Sequence, residues 1–179
     1  MRKLISRAGF AAASLAATPA CAGPRGWDLA SDVGRDALVL AALGVPAVQG
    51  DWRGDLQAGG GMLAAGGTTW ALKELIHERR PDRSDDRSFP SGHTSVSFAA
   101  AMTMEKRYGW RVGAPALAVA TFVGASRIAA DKHYVHDVLA GAAIGSAAGW
   151  VFTSRHDDRV RLLPWTAKGG GGFALAAAW

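Results

Sequence analysis

Cysteine is all but missing from this chain. Among 179 residues there is one, Cys21, so no internal disulfide can form. Long apolar runs are missing too: the apolar stretches are about 11 to 15 residues, short of the roughly 20 that carry a helix across a bilayer. There is no internal repeat, no nucleic-acid motif and no metal-ligand spacing. Nucleic acid is therefore not expected as a partner, and the sequence asks for no metal and no cofactor. The length leaves room for one domain with a proper core, and not for two.

What is present is small and apolar. Hydrophobic residues make up 49% of the chain and charged residues only 20%, with 23 glycines. Part of the apolar excess sits at the start, where a basic segment (Arg2, Lys3, Arg7) precedes an apolar run over 8–17 and small residues over 18–22. That order is the physics of a secretory signal peptide over 1–22, cut after Ala20 or Ala22. Residues 23–35 read as a lead-in segment, with Trp27 capping the core. The stretches 37–50, 58–72, 94–104, 112–125 and 138–152 read as helices whose alanines and glycines suit close packing. Between them, 51–55 and 105–111 read as turns, Pro46 as a kink and Pro115 as a helix start.

The expected fold is all-α, a compact helical bundle of about five or six helices over 23–157. A short C-terminal β-hairpin over 158–179 follows, its strands flanking a glycine-rich connector and docking on the helices. The net charge of +5 suits anionic headgroups or phosphorylated substrates. Two placements stay open, a soluble domain and a membrane-embedded bundle with Trp52, Trp70, Trp110 and Trp150 at segment ends. Both put the working end in the cell envelope, outside the cytoplasm.

Three polar clusters interrupt the apolar pattern between Lys73 and Asp137. On one helix, Lys73 and Arg80 would lie two turns apart on a single face, and Pro81 would end that helix. A guanidinium binds phosphate through two bonds and an ammonium acts as a point charge. In the second cluster, Pro90-Ser91-Gly92-His93, Ser91 reads as the N-cap of a helix whose free amides at Gly92 and His93 suit an anion. In the third, Arg127 precedes His133, and His133 stands four residues before Asp137. On a helix, that spacing lets the carboxylate fix the imidazole tautomer and leave the other nitrogen free to attack. Each cluster alone is unremarkable. The first could be a surface network of Glu74, Glu78, Asp82, Asp85 and Asp86 with Arg79, Arg80, Arg83 and Arg87. His77, His136 and His156 lie outside the pattern and read as non-catalytic, His136 being notable for adjoining Asp137.

Taken together, the spacing is specific. Lys73 with six residues before Arg80-Pro81, then Pro90-Ser91-Gly92-His93, then Ser126-Arg127 with five residues before His133 and three before Asp137, resembles the tripartite signature of the type 2 phosphatidic acid phosphatase and vanadium haloperoxidase superfamily. No signature position departs from it, and the spacer after Pro81 is short, as in compact members. The resemblance implies a phosphatase that cleaves phosphate monoesters or pyrophosphates, lipid phosphates first, without a metal and through a phosphohistidine. By similarity His133 is the nucleophile, Asp137 its orienting carboxylate and His93 the general acid. Lys73, Arg80, Arg127, Ser91 and Gly92 would hold the phosphoryl oxygens. The rivals are a non-catalytic envelope protein that binds phosphorylated headgroups, and a vanadate-dependent haloperoxidase.

Overall fold

The computed structural model describes residues 23–155 in full and the backbone of 160–167 and 170–177. The expected signal peptide, with Cys21, lies outside the described residues. Five helices follow in order: α1 Pro24–Val48, α2 Trp52–Leu75, α3 Gly92–Tyr108, α4 Trp110–Ala129 and α5 Val135–Phe152. They alternate in direction, so the start of α1, the end of α2, the start of α3, the end of α4 and the start of α5 share one end of the bundle. The fold is all-α over this region, as expected. Beyond it, β1 (Val160–Ala167) and β2 (Gly170–Ala177) are antiparallel neighbours in backbone trace. Their side chains, and with them the docking expected of a hairpin, lie outside the described residues.

The helices are longer than the apolar runs, at 17 to 25 residues. Polar residues extend the helices past the apolar runs, some of them paired across elements, as Arg107 is with Asp51. Residues 23–35 are therefore not a lead-in but the first half of α1, and Trp27 packs on Phe122 of α4 with ring centroids 6.2 Å apart. Asp51 is not part of a longer turn but the N-cap of α2, its carboxylate accepting from the Gly54 amide at 3.1 Å. The turn expected over 105–111 shrinks to Gly109, whose φ of 84° joins α3 directly to α4. Pro115 lies inside α4 rather than at its start, since the helix already begins at Trp110.

Helix α3 is central and packs on each of the other four. Its core is made of small side chains, among them Ala58, Ala65, Ala99, Ala100, Ala101, Ala116 and Ala120, with Leu38, Met62 and Met104 filling between. Small residues let backbones approach. The sharpest case is α5, where Gly141, Gly145 and Gly149 face the Ser91, Ser95 and Ala99 carbonyls of α3. A Cβ at these glycines would come within 2.5, 2.1 and 2.6 Å of those oxygens. That contact fixes the register of α5 on α3, and so places Asp137 against Ser91, whose amide donates to the Asp137 carbonyl at 3.0 Å.

Two helices, α4 and α5, are long and apolar enough to cross a membrane by length and composition. Large apolar side chains also point outward, including Trp52, Leu56, Leu63 and Trp70 along one face of α2.

Candidate active site

Every residue singled out in the three clusters lies at the shared end. Lys73 is in the last turn of α2, Ser91 caps α3, Gly92 and His93 are its first two residues, Arg127 is in the last turn of α4, and Asp137 is the third residue of α5. Two placements differ from expectation. Helix α2 ends at Leu75, so Arg80 is not two turns along from Lys73 but in the loop beyond. That loop closes on itself, with the Arg80 amide donating to Asp85 O at 3.0 Å and the Ser88 amide to Glu78 O at 2.8 Å. His133 likewise sits before α5, not on it. Asp131 adopts the left-handed conformation (φ 56°), which aspartate tolerates better than most residues. The turn it makes lets the Lys132 and His133 amides donate to Arg127 O at 3.1 and 3.3 Å.

The His133 imidazole is buried between two charges. Its Nδ1 faces Asp137 Oδ2 at 3.4 Å, and its Nε2 lies 3.3 Å from Arg80 Nη1. Asp137 is fully buried, and its Oδ2 accepts from Ser88 Oγ at 2.6 Å and from the Tyr134 amide at 2.9 Å. Burial first, then the cations Arg80, Arg127 and Lys73, push the His133 pKa down, so the ring is neutral. His93 is also driven down, by burial and then by Arg127. Arg127 is thus within electrostatic reach of both imidazoles.

Each cation has a resident acceptor. The Lys73 ammonium donates to the Arg87 and Ser88 carbonyls at 2.5 and 2.9 Å, tying the loop to α2. Burial, then repulsion from Arg80, lowers its pKa to about 8. Arg80 Nε donates to Asp85 Oδ1 at 2.7 Å and Nη1 to Lys132 O at 3.1 Å. Arg127 Nη1 donates to Asp28 Oδ1 and, at 3.0 Å, to Ser31 Oγ, while its buried Nε has no partner among the described residues. Around it, Ser91 Oγ pairs with Thr94 Oγ1 at 2.8 Å, and the first amides of α3 are free of intrahelical bonds by construction.

Helix α1 contributes what the sequence reading overlooked. His93 Nε2 lies 2.6 Å from Asp32 Oδ1 and 2.7 Å from Arg35 Nη1. Together with Asp28 and Ser31, these residues are spaced i, i+3, i+4 and i+7, one face of a helix. That polar stripe in an otherwise apolar helix was the available signal.

Three cations, the first amides of α3 and two histidines gathered at one end are a donor set that suits a tetrahedral oxyanion. The sequence profile of the PAP2 superfamily matches residues 56–161. The chain belongs to the PAP2 superfamily. Among PAP2 relatives, the chain is 40% identical over 92 residues to the lipid A 1-phosphatase of Porphyromonas gingivalis, covering 50% of this chain and 21% of that protein. It is 32% identical over 124 residues to the lipid A 4'-phosphatase of Helicobacter pylori, 63% of each. The chain therefore spans less than two thirds of either curated relative. Among solved PAP2-type structures, LpxE of Aquifex aeolicus superposes with a TM-score of 0.64 at 21% identity, over 76% of this chain and 87% of that one. The last likeness shows the fold. The matched profile begins after α1, so Asp28, Ser31, Asp32 and Arg35 reach the pocket from outside it.

Proposed function

We propose that this chain hydrolyses phosphate esters, with lipid phosphates as the favoured class, through a phosphohistidine on His133. The observation that carries the reading is the His133 imidazole, buried and neutral, with Asp137 behind Nδ1 and Arg80 beside Nε2. In this reading Nε2 attacks phosphorus, and the bond to the leaving alcohol breaks. His93 gives that alcohol its proton. Water then attacks the phosphohistidine while His93 takes a proton from it, and the N–P bond breaks to release phosphate and His133. Arg80, Arg127, Lys73 and the first amides of α3 neutralise the equatorial oxygens throughout, which is most of the protein's task in phosphoryl transfer.

His93 must act as acid and then as base. Its two neighbours suit both states: the Asp32 carboxylate accepts from Nε2–H, and the Arg35 guanidinium donates to the bare nitrogen. The lipid preference draws on the relatives' lipid A activities and on the outward apolar face of α2, whose exposed Trp52 and Trp70 lie about 27 Å apart along the axis. That length is close to a bilayer's hydrocarbon thickness and suits a pocket at headgroup level; in this reading the pocket faces outside the cytoplasm.

The test is turnover of a soluble monoester and of a lipid phosphate by the purified chain. His133→Ala should cost roughly 10⁴-fold or more in kcat while phosphate still protects the protein thermally. His93→Ala should cost about 10²–10⁴-fold, most for alcohols that leave poorly. Wild-type turnover in His133→Ala would overturn the reading, and phosphate binding without turnover in the native chain would favour a headgroup-binding protein.

A further inference from the structure

On the far side of the Asp137 carboxylate from His133 Nδ1 stands a group of three donors, of which only Asp137 serves the reaction above. His136 Nε2 lies 2.8 Å from Glu78 Oε1 and 3.1 Å from Asp137 Oδ1, and the three ligand atoms are all within 4.8 Å of one another. The His136 ring is held in place by its neighbours, stacked on Tyr134 (centroids 5.4 Å, 8° between planes) and on Phe89 (6.1 Å, 28°). Glu78 is held through its backbone, which bridges to Arg87 and Ser88.

The protons do not balance at this spot. One Nε2–H can serve one acceptor well, and the geometry gives it to Glu78. Asp137 Oδ1 is then a carboxylate oxygen with no hydrogen-bond partner among the described residues, in a residue that is 0% exposed. Its sister Oδ2 is already occupied by Ser88 and Tyr134. A buried, unpaired carboxylate oxygen is costly. A divalent cation satisfies it, replaces the shared proton on His136 and balances both carboxylates.

We propose that Glu78, His136 and Asp137 form an inhibitory site for a zinc-class divalent cation. One imidazole nitrogen and two carboxylate oxygens are the donor set such an ion takes, with water in the fourth position. Bonds of about 2.0–2.2 Å place tetrahedral donors roughly 3.3 Å apart. The 2.8 and 3.1 Å spacings need to open by about 0.2–0.5 Å, and the Glu78–Asp137 spacing, within 4.8 Å, has to settle to the same edge. Neither Glu78 nor His136 occupies a signature position, so the site belongs to this chain's own sequence. The Arg80 guanidinium, 3.3 Å from His133, opposes a second cation beside Asp137, which favours reversible over permanent occupancy. A cation on Oδ1 draws charge from the carboxylate behind His133 Nδ1 and weakens the nucleophile. Binding stands on the geometry alone, whereas inhibition rests on the function proposed above.

The experiment uses the whole chain, freed of metal by a chelator that is then removed. Zinc is titrated calorimetrically, cobalt binding is followed by visible absorption, and monoester turnover is measured across the same zinc concentrations. The native chain should bind one zinc, give a cobalt band, and lose turnover with the same midpoint as binding. In Glu78→Gln and His136→Ala, both midpoints should move at least about tenfold to weaker zinc, while turnover without zinc stays within about twofold and melting temperatures hold. Equal zinc affinity in native and variant chains, or no binding in the native chain, overturns the site. Binding that leaves turnover untouched overturns its inhibitory role. A native chain that binds zinc but turns nothing over with or without it contradicts the proposed function and not the site.

Discussion

Each end of the bundle holds a buried arginine on a carboxylate, and the two are built differently. At the far end, Arg107 uses its whole guanidinium: Nε and Nη2 donate to Asp51 Oδ2, and Nη1 donates to Gln57 Oε1 at 2.7 Å and to Ser154 O at 3.3 Å. Both side chains are closed from water, Arg107 at 4% and Asp51 at 11% exposure. At the site end, Arg127 is as buried, at 6%, but its Asp28 partner is 37% exposed and its Nε finds no acceptor among the described residues. The first arrangement is complete and locks α1–α2, α2, α3 and the end of α5 together. Among the described residues the second has a donor to spare and a partner open to water, which suits the binding role proposed for Arg127.

The largest expected effect comes from breaking the closed pair. Arg107→Met leaves Asp51 buried without its cation and should lower stability by about 3–5 kcal/mol, read from denaturant midpoints, while the protein that remains folded keeps its kcat/KM. The converse substitution should invert the pattern. Arg127→Lys frees an Asp28 that water can reach, so the midpoint should barely move. Loss of one planar donor from the oxyanion pocket should lower kcat/KM by roughly 10²–10³-fold. If both variants lose stability and activity alike, the two ends are not distinct.

The smaller test is the pH profile. Lys73 is charged below its lowered pKa of about 8 and neutral above it, so the cage loses a cation as pH rises. The kcat/KM for a phosphate dianion should hold up to about pH 8 and fall above it. Lys73→Arg, which stays protonated, should move that limb out of range.

Much of this was legible in the residues because the three clusters carry their own spacing, and spacing survives whatever the local backbone does. Lys73, Arg80, Ser91, Gly92, His93, Arg127, His133 and Asp137 were named from sequence, and all lie at one end of the fold. The backbone beneath them was harder to read. The only visible breaker after Lys73 was Pro81, yet α2 ends at Leu75 because the Lys73 ammonium and the Glu78–Arg87 bridge draw the loop back. The first half of α1 was mistaken for a lead-in because Asp28, Ser31, Asp32 and Arg35 dilute its apolar pattern. Their partners, His93 and Arg127, are 61 and 99 residues away from Asp32 and Asp28. Asp51 hid for the same reason, its cation Arg107 being 56 residues on.

The central claim is that a bond forms between His133 Nε2 and phosphorus. The direct measurement is an alkaline-denaturant quench during turnover of a 32P-labelled monoester, followed by peptide mapping. Label that is base-stable, acid-labile and confined to the peptide bearing His133, and absent from His133→Ala, is the expected result. Turnover with no labelled peptide, or label at another residue, would contradict it.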